Sequence, residues 1–229
     1  MTTQLPLDRL AALRQYTTPT VANAIETFNL RPRTAGFMSS EIRCIFPELG
    51  AMVGYAFTAT IRASQQPPPE AAARRPASWR GLEEIPAPRV MVIQDLDDPP
   101  GIGAFWGDVQ SNIHRALGCI GTITNGSVRD LDEVRKLKFH FFAGSVSVSH
   151  AYVHLVDTGV PVRVGGLTVR PGDLLHGDQH GVINVPLEIA GRIAEGAEKV
   201  EAVERQIISF CQSPGFSRRG LEDLFKTLR

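Results

Sequence analysis

Apolar residues recur at Val21, Ala24, Ile25 and Phe28, directly after Thr18-Pro19. This i, i+3, i+4, i+7 stripe predicts an amphipathic helix, with Thr18 as its hydroxyl cap and proline at its first position. Residues 54–61 are rich in β-branched and aromatic side chains, which predicts a strand. Val90-Met91-Val92-Ile93 is a continuous apolar run, the mark of a strand buried in a parallel sheet. A turn-rich segment, 95–107, follows. Next comes a helix with Val109, Ile113, Ala116 and Leu117 on one face, stopped by Gly118. Residues 119–124 read as a second buried strand, and Asn125-Gly126 as a turn. Leu131, Val134, Arg135 and Leu137 belong to a short helix, and 139–142 to a third strand. This β-α-β-α-β order implies parallel strands joined by right-handed crossovers.

The second half is patterned differently. Residues 146–169 alternate and contain a Gly165-Gly166 turn; Pro171-Gly172-Asp173 is another turn, and 177–181 a tight loop before a strand at 182–185. Such alternation predicts antiparallel β structure. Ile189, Ile193, Ala197, Val200, Val203, Ile207 and Phe210 then mark one long helix over 188–212, with a face buried against the body or a neighbouring subunit. The expected fold class is therefore α/β: a parallel β-α-β core, an antiparallel β portion and a long C-terminal helix. No repeat or interdomain linker is visible, so 1–229 reads as a single domain with a C-terminal helical extension over 187–229. Residues 64–89 stand apart, with Pro67-Pro68-Pro69, Pro76, Pro86, Pro88 and an alanine-arginine stretch. This proline-rich insertion is either a plain surface excursion or a lid over a site.

Composition narrows the function classes. Lys plus Arg and Asp plus Glu both number 24, so the formal net charge is zero, without the basic excess of an electrostatic nucleic-acid binder. Little net charge opposes self-association. Cys44, Cys119 and Cys211 are far apart, which indicates neither a zinc ribbon nor a disulfide framework; Cys119 lies in an apolar run and reads as a core residue. The N-terminus lacks a basic start followed by an apolar stretch, and no run approaches the roughly 20 apolar residues of a membrane span. The expected location is cytoplasmic, with no membrane partner.

Ligands of a parallel β-α-β sheet bind beyond the carboxyl ends of its strands. Two loops lie on that edge. One carries Gly101, Gly103, Phe105, Trp106, Gly107 and Asp108; the other carries Asn125, Gly126, Ser127, Val128, Arg129 and Asp130. Each leads into a helix, whose first N–H groups suit a carboxylate or phosphate. Arg129 can clamp a carboxylate, and Asp108 and Asp130 offer hard oxygens to Mg²⁺ or Mn²⁺. The plainer alternatives are a surface Arg-Asp ion pair and an acid placed at a helix start for its dipole. Gly101-Ile102-Gly103 is a poor dinucleotide fingerprint, because the next glycine, Gly107, comes one residue too late. GxSxG and GK[ST] motifs are absent.

Gly107-Asp108, Gly118, Gly121, Asn125-Gly126, Val128-Arg129-Asp130 and Glu133 together resemble the core of the RraA-like family. That family's enzymes show an acid, twenty intervening residues, then Arg-Asp; here residues 109–128 separate Asp108 from Arg129-Asp130. The resemblance extends through Gly165-Gly166-Leu167-Thr168-Val169-Arg170-Pro171-Gly172-Asp173-Leu174 and Gly181-Val182, and weakly to Thr20-Val21-Ala22-Asn23-Ala24. It implies a swivelling β/β/α domain, assembled as a homotrimer or homohexamer with sites between subunits. It also implies a class II-type, metal-dependent aldolase or decarboxylase. Such an enzyme cleaves a C–C bond of a small 2-oxo acid, 4-hydroxy-4-methyl-2-oxoglutarate or oxaloacetate, to give pyruvate through a metal-stabilised enolate. By position, Asp130 would bind Mg²⁺, Mn²⁺ or another divalent ion directly and Asp108 through water. Arg129 would bind the oxo-acid end and stabilise developing charge. The backbone of Gly107, Asp108, Val109 and Gln110 would hold the substrate carboxylate. No lysine precedes Lys136, in keeping with a mechanism that needs no Schiff base. A base for the 4-hydroxyl proton would act through a metal- or Arg129-associated water.

Two departures stand out. Where many relatives have Asp-x-Asp-Gly, this chain has Asp178-Gln179-His180-Gly181, so His180 either replaces an acid structurally or carries protons near the site. His150 and His154 have HxxxH spacing without the zinc-protease glutamate. Two rival functions remain. One is a non-catalytic regulator that binds a ribonuclease, a role whose family members lack the aspartate after the arginine. The other is a metal-assisted enzyme acting on another acid.

Overall fold

The computed structural model describes residues 4–228. Two short helices come first, α1 (Leu7–Leu13) and α2 (Thr18–Glu26), followed by β1 (Arg43–Cys44) and the 11-residue β2 (Met52–Arg62). Next are α3 (Ala71–Glu83), β3 (Arg89–Asp95), β4 (Ala104–Trp106), α4 (Asp108–Ala116), β5 (Cys119–Val128), α5 (Leu131–Leu137) and β6 (His140–Val146). The antiparallel half holds β7 (His154–Thr158), β8 (Val162–Val164), β9 (Leu167–Val169), β10 (Leu174–Asp178) and β11 (Gly181–Val185). Three helices close the chain: α6 (Leu187–Ala190), α7 (Ile193–Cys211) and α8 (Arg218–Thr227).

One mixed sheet runs β1-β6-β5-β3-β2-β10-β11, with β4 beside β5 and β7 beside β2. Strands β2, β3, β5 and β6 are mutually parallel, with the short β4 parallel beside β5, so the parallel core is larger than the three strands expected. β10, β11 and β7 add antiparallel pairs, and β8-β9 forms a separate hairpin across Gly165-Gly166, both at positive φ. Every β2 residue except Arg62 is buried, because helices or the hairpin cover both faces. The α/β class, the parallel core, the antiparallel portion and the long C-terminal helix all stand as expected.

Several local expectations need correction. The cap of α2 is Thr17, whose Oγ1 accepts the Thr20 N–H, and this moves Thr18 and Pro19 into the first turn. Phe28 lies beyond the end of α2. Asn125-Gly126 does not turn. It stays within β5, where Asn125 accepts the Asp95 N–H at 2.8 Å and donates to the Asp95 carbonyl at 3.0 Å. The side chain thus replaces ladder bonds at the place where the β5-β6 register slips. Gly177 and Asp178 are strand, leaving Gln179-His180 as the turn. In α4 the buried positions are Ser111 and His114, while Val109 is 68% exposed, because the helix lies along Trp106 rather than across an aliphatic layer. The C-terminal helix breaks after Ala190, and its stripe is fully buried only through Ile189, Ile193 and Ala197. Beyond that, Val203 and Ile207 line a groove with Leu221 and Phe225 of α8. The 64–89 segment is not mere loop: α3 occupies half of it and buries Ala71, Ser78 and Leu82, even with Pro76 inside.

Asp178 ties the two halves together. Its Oδ2 accepts the Thr18 N–H at 2.9 Å, and its Oδ1 accepts the His180 N–H at 2.8 Å and faces His180 Nδ1 at 3.0 Å. Burial pushes its carboxyl up, but these bonds outweigh burial and hold it below the ordinary value of 3.8. His180 therefore serves this turn and does not line the cavity described below. Asp178→Ala strands the buried Thr18 N–H and is expected to cost about 1–3 kcal/mol. A denaturation midpoint equal to wild type contradicts that expectation.

Candidate functional site

The carboxyl ends of β4 and β5 place two helix starts side by side. Gly107 precedes α4 and Asp130 precedes α5, and the strands are linked by the Arg129 N–H donating to the Trp106 carbonyl at 3.0 Å. Asp130 adopts a left-handed conformation, φ 54°, which aspartate tolerates better than most residues. In this conformation its side chain does not cap its own helix. Oδ2 instead accepts the Asp108 N–H at the start of α4, at 3.0 Å, and lies 3.6 Å from Arg129 Nε. A Cβ on Gly107 would fall on that same Asp130 Oδ2, so the close approach requires glycine there.

A cavity of about 390 Å³ opens over these groups. Gly107, Val109, Gln110, Arg129 and Asp130 line it, which brings together most of the residues singled out in the sequence. Asp108 enters differently. Its N–H holds Asp130, while its Oδ1 turns along the helix to accept Asn112 Nδ2 at 2.8 Å and does not line the cavity. Helix geometry leaves the Val109 and Gln110 N–H groups without intrahelical acceptors, so they can receive a carboxylate. Asp130 Oδ1 has no hydrogen bond among the described residues, leaving one hard oxygen for a cation.

Among the described residues no three His, Cys, Asp or Glu side chains gather as a metal cage. An ion here would be held by one or two carboxylates, water and ligand oxygens, which is the habit of Mg²⁺. HxxxH does not make a zinc pair. His150 is in a loop and His154 begins β7, where its Nδ1 bonds the Tyr152 carbonyl at 2.8 Å.

The floor behind α4 is aromatic. His114 packs edge-on against Trp106 at 4.7 Å, and its Nδ1 meets the Gln110 carbonyl at 2.8 Å. Burial pushes this imidazole down to about 4. Two buried acids fix neighbouring loops and do not line the cavity. Asp95 receives the Gly101 and Asp97 N–H groups, and Asp97 receives Ala63 N–H, Ser64 N–H and the Ser64 hydroxyl. Burial raises the Asp95 carboxyl. Asp97 is also desolvated, but its hydrogen bonds to Ser64 and Ala63 prevail and lower it.

One further wall lies on the insertion, which the sequence leaves as either a surface excursion or a lid, and a second was not anticipated. Pro67 and Arg75 bring the insertion into the lining, and His150, Ala151, Tyr152 and Val153 supply the opposite side. The insertion therefore borders the site. The alanine-arginine run was the available signal, since both are strong helix formers. Nothing in the local pattern marked the 150–153 loop except its paired histidines.

Residues 18–184 match the family model described as RraA-like, Aldolase/RraA. A Halalkalibacterium halodurans protein named "Putative 4-hydroxy-4-methyl-2-oxoglutarate aldolase" is 30% identical over 100 residues, covering 43% of this chain and 48% of that protein. An uncharacterised Methanocaldococcus jannaschii protein is 32% identical over 105 residues, covering 45% and 50%. The chain thus spans about half the length of the curated relatives it matches. Among solved structures, an uncharacterised Pseudomonas syringae protein superposes with a TM-score of 0.75 at 24% identity, covering 99% of this chain and 97% of that one. Streptomyces coelicolor RraAS2, described as an unusual member of the RNase ES inhibitor RraA protein family, gives 0.69 at 22%, covering 88% and 96%. These two likenesses speak to the fold.

Proposed function

Because the chain belongs to the RraA-like family, we propose that it is a divalent-metal-dependent carbon–carbon lyase. Its substrate is a small 2-oxo acid and its product pyruvate, on the pattern of 4-hydroxy-4-methyl-2-oxoglutarate aldolase and oxaloacetate decarboxylase. The observation that carries this reading is the left-handed Asp130. Its carboxylate is held by the first N–H of α4 beside Arg129, with its second oxygen left over. Mg²⁺ or Mn²⁺ would be held by that oxygen; Asp108 is bonded to Asn112 and does not line the cavity, so a contact to the ion through water would require its Oδ2 to turn inwards. A bound divalent ion would supply Lewis-acid stabilisation of the charge that develops on the 2-oxo group.

The chain's own groups do the rest. Arg129 binds the oxo-acid end and stabilises negative charge from a fixed position. The Val109 and Gln110 N–H groups hold the substrate carboxylate. Phe105, Tyr152 and Val153 add apolar surface to the lining. No lysine lines it, which agrees with chemistry that forms no Schiff base.

Ile102, Val109, Val146, Val148 and Tyr152 are all exposed apolar side chains, and two of them line the cavity. Such surface supports assembly as a homotrimer or homohexamer, tested by mass in light scattering. Among the described residues no helix is long and apolar enough to cross a membrane.

The deciding experiment supplies oxaloacetate and 4-hydroxy-4-methyl-2-oxoglutarate separately, with Mg²⁺ or with EDTA. Pyruvate release that disappears with EDTA is the expected result. No pyruvate from either compound with any divalent metal refutes the lyase and leaves the ribonuclease-regulator role standing.

A further inference from the structure

His150 stands in the cavity wall without a part in the chemistry so far. It shares the lining with Arg75, Arg129, Asp130 and Tyr152. Its Nδ1 lies 2.6 Å from the Ala151 carbonyl. A carbonyl only accepts, so Nδ1 carries a proton, and in the neutral ring Nε2 is then the nitrogen with the free lone pair.

The loop backbone that carries the ring is held in place. Ala151 takes φ 45°, a conformation alanine rarely adopts. The Ala104 N–H donates to the Ser149 carbonyl, the Ala151 N–H to Ser149 Oγ, and the Tyr152 N–H to the Ala63 carbonyl. A Cβ on Gly103 would fall on the His150 carbonyl, so the glycine permits this loop to lie against β4. Four contacts fix a strained backbone at a residue that lines the cavity.

We propose that His150 Nε2 is the base that takes the 4-hydroxyl proton in aldol cleavage, in place of a water. The inference rests on the lyase reading above. In the step, Nε2 gains the proton as the hydroxyl O–H bond breaks. The oxygen's electron pair becomes the new C=O of the departing 2-oxo acid. The bond between C3 and C4 breaks, and its pair moves into a pyruvate enolate. Protonated His150 then returns the proton to C3, which completes the second pyruvate and regenerates the base. Decarboxylation has no hydroxyl proton to remove, so the same base has no work in its bond-breaking step.

That difference supplies the test. H150N keeps a donor to the Ala151 carbonyl where Nδ1 stood and removes Nε2. Both reactions are measured for wild type and H150N with Mg²⁺. The ratio of aldol cleavage to decarboxylation is expected to fall about 100-fold or more, the scale of losing a general base. An unchanged ratio, whether both rates fall together or neither falls, overturns the proposal. A wild type that decarboxylates oxaloacetate but cannot cleave the aldol overturns it while keeping the lyase. A wild type with neither activity refutes the lyase itself, and this inference with it.

Discussion

Asp130→Ala is expected to lower kcat/KM for pyruvate release by at least about 100-fold, the scale of losing one preorganised charge contact. The carboxylate holds three things in one place: the start of α4, the Arg129 side chain and the hard oxygen offered to a cation. Alanine removes all three and also leaves a side chain without aspartate's tolerance at φ 54°. Asp130→Asn separates these contributions, since an amide oxygen still accepts the Asp108 N–H but carries no charge. Arg129→Ala should match the loss. Arg129→Lys should recover little of it, because lysine lacks the paired N–H donors that grip a carboxylate. Both side chains are about one-third exposed, so the Arg129 variants and Asp130→Asn should unfold close to the wild-type midpoint, and Asp130→Ala somewhat below it. Near-normal kcat/KM in the alanine variants would show that the site lies elsewhere.

The second large effect is on stability in acid. Burial lowers the imidazoles of His114 and His140 to about 4 from an ordinary 6.5, and also lowers His176. Between about 6.5 and 4 the unfolded chain takes up protons that the native fold refuses. Stability is therefore complete above the unfolded value and is lost as pH falls towards the folded one. At roughly 1.4 kcal/mol per pH unit, each of the first two histidines removes about 3 kcal/mol at most. Asp95 and Asp173, whose burial raises their carboxyls, oppose part of this change. The expected result is a denaturation midpoint that drops steeply between pH 6.5 and 4.5. A flat midpoint across that interval means these rings are hydrated in solution.

The sheet was readable because its strands are buried on both faces. Val90-Met91-Val92-Ile93 has no polar position to disguise it, and a fully buried strand has little freedom to be anything else. The two helix starts were readable for the same reason, since they follow from where such strands end. Burial of α4 was not. Val109 looked like a core residue but faces the cavity, while His114 and Ser111 take the inner positions. Polarity misleads when an aromatic ring rather than an aliphatic layer receives the helix. Asn125-Gly126 misled because a side chain can substitute for backbone pairing, a choice made by Asp95 thirty residues earlier. The 150–153 wall was hidden for a related reason: that loop reaches the cavity only through tertiary contacts.

The bond from the Thr18 N–H to Asp178 spans 160 residues. Strand β2 meets its antiparallel neighbour β10 only after a gap of more than a hundred residues. At roughly 5–20 residues per second of synthesis, the β2 edge waits on the order of ten seconds for that partner. An apolar strand left open for that long is a template for pairing with other nascent chains. Production yield should therefore respond to translation speed and chaperone supply more than to changes around the cavity, and chains cut before Leu174 should collect in aggregates.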